Sequence, residues 1–289
     1  VSEAAFVDLE ADGRTISLEY AWVEPAYAPL ADGGTMRREG ADPPLVVFLH
    51  EGLGSLSMWK DYPQRLCDAC GCRGLVFSRA GYGRSTPRRP EERWPVDFMH
   101  REALRVLPRL FDRLGVGAKG NRPWLLGHSD GGSIALIFAA AFPDAAAGVI
   151  AVAPHIFVED VSIASIAAAR DAYRATDLRT RLARYHADPD SAFFGWNDVW
   201  LDPAFRDWSI EPVLDRLQCP ILAVQGEDDE YGTLAQVTGI HARVRHSEIV
   251  VLADCGHSPH RDQPEALTRA VADFIARHPK ARANEGGVS

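Results

Sequence analysis

Six short apolar runs, spread along 289 residues and separated by helix-like segments, constrain this chain more than any other feature. They are LVVFLH (45–50), GLVFS (74–78), PWLLG (123–127), GVIAVAP (148–154), CPILAVQG (219–226) and SEIVVLADCG (247–256). Runs this short and this uninterrupted suit strands of a buried sheet. Between them lie segments of helical character, among them LSMWKDYPQRLCDAC, VDFMHREALRVLPRLFDRLG with Pro108 inside it, GGSIALIFAAAF and the closing QPEALTRAVADFIARH. Apolar strands alternating with helices predict a mostly parallel sheet covered on both faces. Ahead of them, AAFVDLE and RTISLEYAWV alternate in polarity around an ADG turn, which predicts an opening hairpin. A proline- and glycine-rich loop follows at 24–44.

The alternation breaks between 155 and 218, where no buried-strand run occurs. That stretch is helical in places and holds Trp196, Trp200 and Trp208, so it reads as an insertion between two core strands. The chain therefore divides into a core, 1–154 with 219–289, and an inserted unit, 155–218. The last residues, ARANEGGVS, have the composition of a frayed tail.

Charge and composition exclude several classes. A net charge of −9 and a pI near 5.6 argue against a nucleic-acid footprint or a polybasic membrane patch. No apolar run approaches the roughly 18 residues that span a bilayer. The N-terminal VSEAAFVDLE lacks a basic start followed by an apolar stretch, so a cytoplasmic protein is expected. Cys67, Cys70 and Cys72 cluster in CDACGC, but Cys219 and Cys255 lie far off and unpaired in sequence. A zinc site needs about four ligands in paired groups, so the cysteines are expected to be reduced structural thiols, with no metal.

The chemistry is concentrated in WLLGHSDGGSIALIFAAAF. Ser129 stands between Gly127 and Gly131, where a strand hands over to a helix. A Gly-x-Ser-x-Gly turn of this kind is too sharp for bulky neighbours, lifts the serine oxygen clear of the sheet and aims the helix N-terminus at it. A serine hydroxyl needs a base to take its proton, and the base needs an orienting partner. VQGEDDEYG supplies carboxylates after the fifth apolar run, and ADCGHSPHRDQPE supplies His257 after the sixth. Both stand at strand C-terminal ends, where α/β sheets place their chemistry.

With these motifs in this order, residues 15 to 278 resemble the α/β-hydrolase superfamily. The family's oxyanion-loop pattern, with a downstream Trp, is similar to HEGLGSLSMW, and its elbow to GHSDGG. Its acid motif matches Gly226 to Asp229, and its histidine motif matches Gly256, His257 and Pro264. The resemblance implies an eight-stranded, mostly parallel sheet flanked by helices, with a helical cap inserted after the sixth strand. It implies a capped serine hydrolase of esterase type acting on a small organic substrate, with Ser129 as nucleophile, Asp229 as acid and His257 as base. The oxyanion donors would be the N–H groups of Gly52 and Asp130. The family register favours Asp229 over its neighbour Asp228, and His257 over His260, for which capping at the surface of the closing helix is expected.

His155, Trp196 and Trp200 are expected to bind substrate, while His50 and His128 suit structural roles. No cofactor is expected. Carbon–carbon bond hydrolysis of a ring-cleavage product is the alternative reaction, and a ligand-binding protein on the same fold is the alternative from a different class. A dehalogenase would carry aspartate at 129. Glu51 departs from the family, standing where glycine is usual; its side chain is expected to turn away from the cleft and pair with Arg79 or Arg84.

Overall fold

A computed structural model of the protein describes residues 2–26 and 43–279. Most of the loop at 24–44 and the whole tail at 281–289 lie outside the described residues. The hairpin forms as expected from β1 (Ala5–Ala11) and β2 (Arg14–Val23). The six apolar runs become β3 (Leu45–Leu49), β4 (Arg73–Phe77), β5 (Trp124–His128), β6 (Gly148–Val152), β7 (Ile221–Gly226) and β8 (Glu248–Leu252). They make one eight-stranded sheet in the order β1-β2-β4-β3-β5-β6-β7-β8. The hairpin strands pair antiparallel, with each other and onto β4; every other neighbour is parallel.

The order explains where a site can form. After β3 the chain steps outward to β4, then returns to the other side of β3 as β5. Loops leaving the C-terminal ends of β3 and β5 therefore diverge and leave a crevice between them. Leu49 pairs with Gly127 at that end, so His50–Gly52 and Ser129 emerge side by side. β3, β5, β6 and β7 are buried at every residue, which is why they read as unbroken apolar runs. β8 is only partly buried, because it is the sheet's edge.

Alternate residues feed two cores. Val47, Leu49 and Leu125 pack with Ile134 and Phe138 on one face. Val46, Phe48 and Leu126 pack with Leu66 and Phe274 on the other. The helix after β5, Asp130–Ala141, is buried from Asp130 to Ala140. The segment expected as one helix at 56–70 is instead a 3-10 turn, Leu56–Trp59, and a helix, Tyr62–Cys70; Lys60 between them takes a positive φ of 54°. Pro108 does not break its helix. Phe98–Arg101 runs through a π-helical stretch, Glu102–Val106, into Leu107–Leu114. The wider turn makes room for a ring that lacks an N–H and would clash one turn back.

Between β6 and β7 the chain forms helices Asp160–Ala175, Leu178–Leu182, Pro189–Trp200 and Glu211–Leu214. Its two stems are tied where they leave and rejoin the sheet: Phe157 bridges Ser209, and the Ile210 N–H donates to the Ile156 carbonyl at 2.8 Å. His186 fastens it to the rest. Its Nδ1 accepts from the Gly83 N–H at 3.0 Å, so its Nε2 carries the hydrogen donated to the Leu53 carbonyl at 3.0 Å.

Candidate active site

The turn after β5 is strained by design of its neighbours. Ser129 has φ 53° and ψ −121°, a region L-residues rarely occupy. A methyl group on Gly127 would stand 2.1 Å from the Gly131 carbonyl oxygen, and one on Gly131 would stand 2.1 Å from that of Leu49. Both positions require glycine because backbone, which cannot swing aside, fills the space. The Ser129 N–H is anchored to the Val152 carbonyl at 2.9 Å, while its own carbonyl accepts from Gly132 and Ser133 at the start of the helix.

Ser129, Asp229 and His257, expected together, are brought together. The Ser129 Oγ lies 2.9 Å from His257 Nε2. His257 Nδ1 lies 2.8 and 3.0 Å from the two Asp229 oxygens, so its hydrogen belongs on Nδ1 and Nε2 is free to take the serine proton. Asp229 also accepts from the Tyr231 and Gly232 N–H groups at 2.8 and 3.2 Å, and from Gln225 Nε2 at 2.7 Å. Burial pushes its carboxyl up, but the bond to His257, that residue's charge and the Tyr231 N–H outweigh burial and hold it below the ordinary range. Asp228 is exposed and offers the histidine nothing; its N–H bonds the Cys255 carbonyl at 2.9 Å.

Asp130 opens the helix, where N–H groups have no intrahelical acceptor. Gly52 lies on the loop after β3, and the Trp196 indole covers it: a methyl group there would sit 2.2 Å from Cδ1. Arg79, 2% exposed, underlies both loops. Its Nη2 donates to the Glu51 carbonyl at 3.0 Å and stands 3.7 Å from Asp130 Oδ2. Burial raises the Asp130 carboxyl even so. His50 is structural, accepting from the Arg79 N–H at 3.0 Å and bonding the Glu51 carbonyl through Nδ1 at 2.7 Å.

Two expectations need correction. The Glu51 side chain pairs with neither Arg79 nor Arg84. Arg79 uses its backbone carbonyl, and Arg84 bonds Glu19 at 2.6 Å. The carboxylate instead lies 3.4 Å from His128 Nδ1 and 3.7 Å from Arg261 Nη2. His260 does not cap a helix at the surface. It is buried against Trp59, Tyr62 and His128, with ring centroids 4.9, 5.8 and 5.0 Å away, and neither ring nitrogen has a partner. Burial, then the neighbouring His128, lowers its pKa to about 3.

His155 is buried with its ring 5.8 Å from that of His257, and burial followed by the charge of His257 lowers its pKa to about 3. It is a neutral ring beside His257. Trp200, 1% exposed, packs edge-on against His155 and donates its indole N–H to Asp130 Oδ1 at 3.2 Å. Trp208 stacks on Phe205 within the inserted helices. A cavity of about 430 Å³ lies away from Ser129, between the hairpin and the 79–98 loop, with Arg79 and Glu102 in its wall. The cysteines are free thiols, and among the described residues no cluster of three or more His, Cys, Asp or Glu is placed to hold a metal. Also among the described residues, no helix is long and apolar enough to cross a membrane.

A model of the alpha/beta hydrolase family matches residues 46–270. The chain belongs to the α/β-hydrolase family. This hydrolase is 28% identical over 214 residues to the human protein named serine hydrolase BPHL, covering 70% of its own length and 68% of the human protein's. It is 23% identical over 259 residues to the 2-hydroxy-6-oxo-6-phenylhexa-2,4-dienoate hydrolase of Burkholderia cepacia, covering 80% and 87% of the two chains. Among solved structures it superposes on a thermophilic esterase from Thermogutta terrifontis with a TM-score of 0.69 at 19% identity, covering 96% of this chain and 100% of that one. That likeness bears on the fold.

Proposed function

We propose that this hydrolase cleaves an ester of a small organic substrate through an acyl-enzyme on Ser129. The observation that carries the reading is the continuous contact from the Ser129 Oγ through His257 to Asp229, at 2.9 and 2.8 Å, on a backbone strained to present the serine. His257 Nε2 takes the serine proton as Oγ attacks the carbonyl carbon. The N–H groups of Asp130 and Gly52 hold the oxyanion. His257 then protonates the leaving alkoxide, and water repeats the sequence on the acyl-enzyme to release the acid and restore Ser129. Asp229 keeps the imidazole hydrogen on Nδ1 and stabilises the imidazolium. No cofactor takes part in this scheme.

The inserted helices are the cap in this reading. Trp196 over Gly52 and neutral His155 beside the base would meet the substrate, while Trp200 supports them through Asp130. Carbon–carbon hydrolysis of a vinylogous diketone stands as the second reading, because the Burkholderia cepacia relative is matched over most of its length. A panel of acyl esters assayed beside a vinylogous diketone decides between them. Ester turnover with an inert diketone supports the first, diketone cleavage at higher kcat/KM overturns it, and turnover of neither favours a binding protein.

A further inference from the structure

Glu51 stands in the loop after β3 where the family pattern has glycine, and the structure gives its side chain a neighbour, His128, that leads to His257. His257 is held at three points. Asp229 takes Nδ1, Glu230 Oε2 accepts its backbone N–H at 3.0 Å, and His128 Nε2 lies 2.6 Å from its carbonyl oxygen. Glu230 is exposed, whereas His128 is 1% exposed. The firm main-chain contact is therefore the one from His128.

That contact fixes the chemistry of the His128 ring. A carbonyl only accepts, so Nε2 carries a hydrogen. On the other side of the ring, Nδ1 faces Glu51 Oε2 at 3.4 Å, within pairing distance but outside hydrogen-bond geometry. Burial opposes a charge on Glu51, yet the neighbouring His128 and then Arg261 hold the carboxyl well below its ordinary range. The rest of the His128 ring meets Trp59, His260 and the His257 ring itself, at centroid distances of 6.4, 5.0 and 5.1 Å. None of these contacts selects one ring orientation. Turned over, the ring would set a carbon against the His257 carbonyl.

We propose that Glu51 is a positioning residue: by orienting His128, it holds the main chain of His257 so that Nε2 stands at Ser129 Oγ. The arrangement repeats, behind the base, what Asp229 does in front of it. It rests on the reading of His257 as the base. Displacing a catalytic group by about 1 Å can cost on the order of a hundredfold.

The test uses the full chain and the rate at which a fluorophosphonate labels Ser129, which needs no knowledge of the natural substrate, together with kcat and KM on an activated ester. Glu51→Leu should slow labelling and lower kcat by about 10- to 100-fold with KM nearly unchanged. Glu51→Gln, whose amide N–H can still donate to His128 Nδ1, should restore most of that loss. His128→Phe should match Glu51→Leu, and the double variant should be no slower than either alone. Wild-type labelling with an unchanged Glu51→Leu rate overturns the positioning role alone. Failure of the wild type to label overturns the serine-hydrolase reading instead. If Glu51→Leu does not fold, nitrogen NMR of the wild-type histidines still decides: His128 with a hydrogen on Nε2 supports the arrangement, and His128 without one refutes it.

Discussion

Asp229→Asn tests the proposed division of labour among Ser129, His257 and Asp229 with little change in shape. Both Asp229 oxygens lie within 3.0 Å of His257 Nδ1, and Oδ1 also accepts from two backbone N–H groups. Those donors will keep the asparagine oxygen at the Oδ1 position, which places its NH2 where Gln225 Nε2 now donates at 2.7 Å. Two donors then face each other, and the negative charge beside the imidazolium is gone. A unit charge about 4 Å away, at an effective dielectric near 20, is worth about 4 kcal/mol. That alone is about a thousandfold in rate, and disturbance of the imidazole tautomer should bring the loss toward ten-thousandfold. The assay is kcat/KM on an activated ester, beside Asp228→Asn, which should stay within about threefold because an exposed side chain away from such features contributes little. A loss under tenfold at Asp229, or a larger loss at Asp228, refutes the reasoning.

Other consequences concern stability and the pocket. Burial raises the Glu102 carboxyl to about 7, with Arg79 opposing, so its contribution is full below pH 4.5 and lost as pH rises through 7. Glu102→Gln should therefore raise the melting temperature at pH 8 and leave it nearly unchanged at pH 4.5; an equal shift at both contradicts the assignment. His260 works in the opposite sense: its lowered pKa gives stability that is full above pH 6.5 and lost as pH falls toward 3. His260→Phe should stabilise the protein more at pH 5 than at pH 8, since neither ring nitrogen has a bond to lose, and thermal melts at the two values check it. Trp196→Ala should change the ratio of kcat/KM between bulky and small esters by on the order of tenfold. Equal losses on both would make Trp196 a packing residue only.

The fold was legible because its signals are local. Buried parallel strands must be apolar throughout, and the turn at Ser129 must be flanked by glycine, so both appear as short strings. The meeting of Ser129, Asp229 and His257 followed from their order along the chain, since each sits at the end of a recognisable strand. What escaped depends on contacts between distant segments. Nothing near Glu51 in sequence announces His128 or Arg261, which reach it from the end of β5 and from beyond β8. His260 follows a proline at a helix start, where polar side chains usually serve as surface caps; its burial is set by Trp59 and Tyr62, two hundred residues earlier in the chain. Pro108 reads as lying inside one continuous helix, and nothing in its neighbours announces the π-helical stretch Glu102–Val106 that precedes it. Arg79, which contacts both the loop after β3 and the helix start at Asp130, belongs to no motif read from the sequence. Its role follows from β4 lying beside β3.

Everything proposed for this site depends on Ser129 being an activated nucleophile. Treating the protein with a fluorophosphonate and mapping the adduct by mass spectrometry tests it directly. One adduct per chain is expected, carried on Ser129, lost in Ser129→Ala and slowed in Asp229→Asn, with ester turnover disappearing in step with labelling. Full ester turnover by Ser129→Ala, or an adduct confined to another residue, would contradict it.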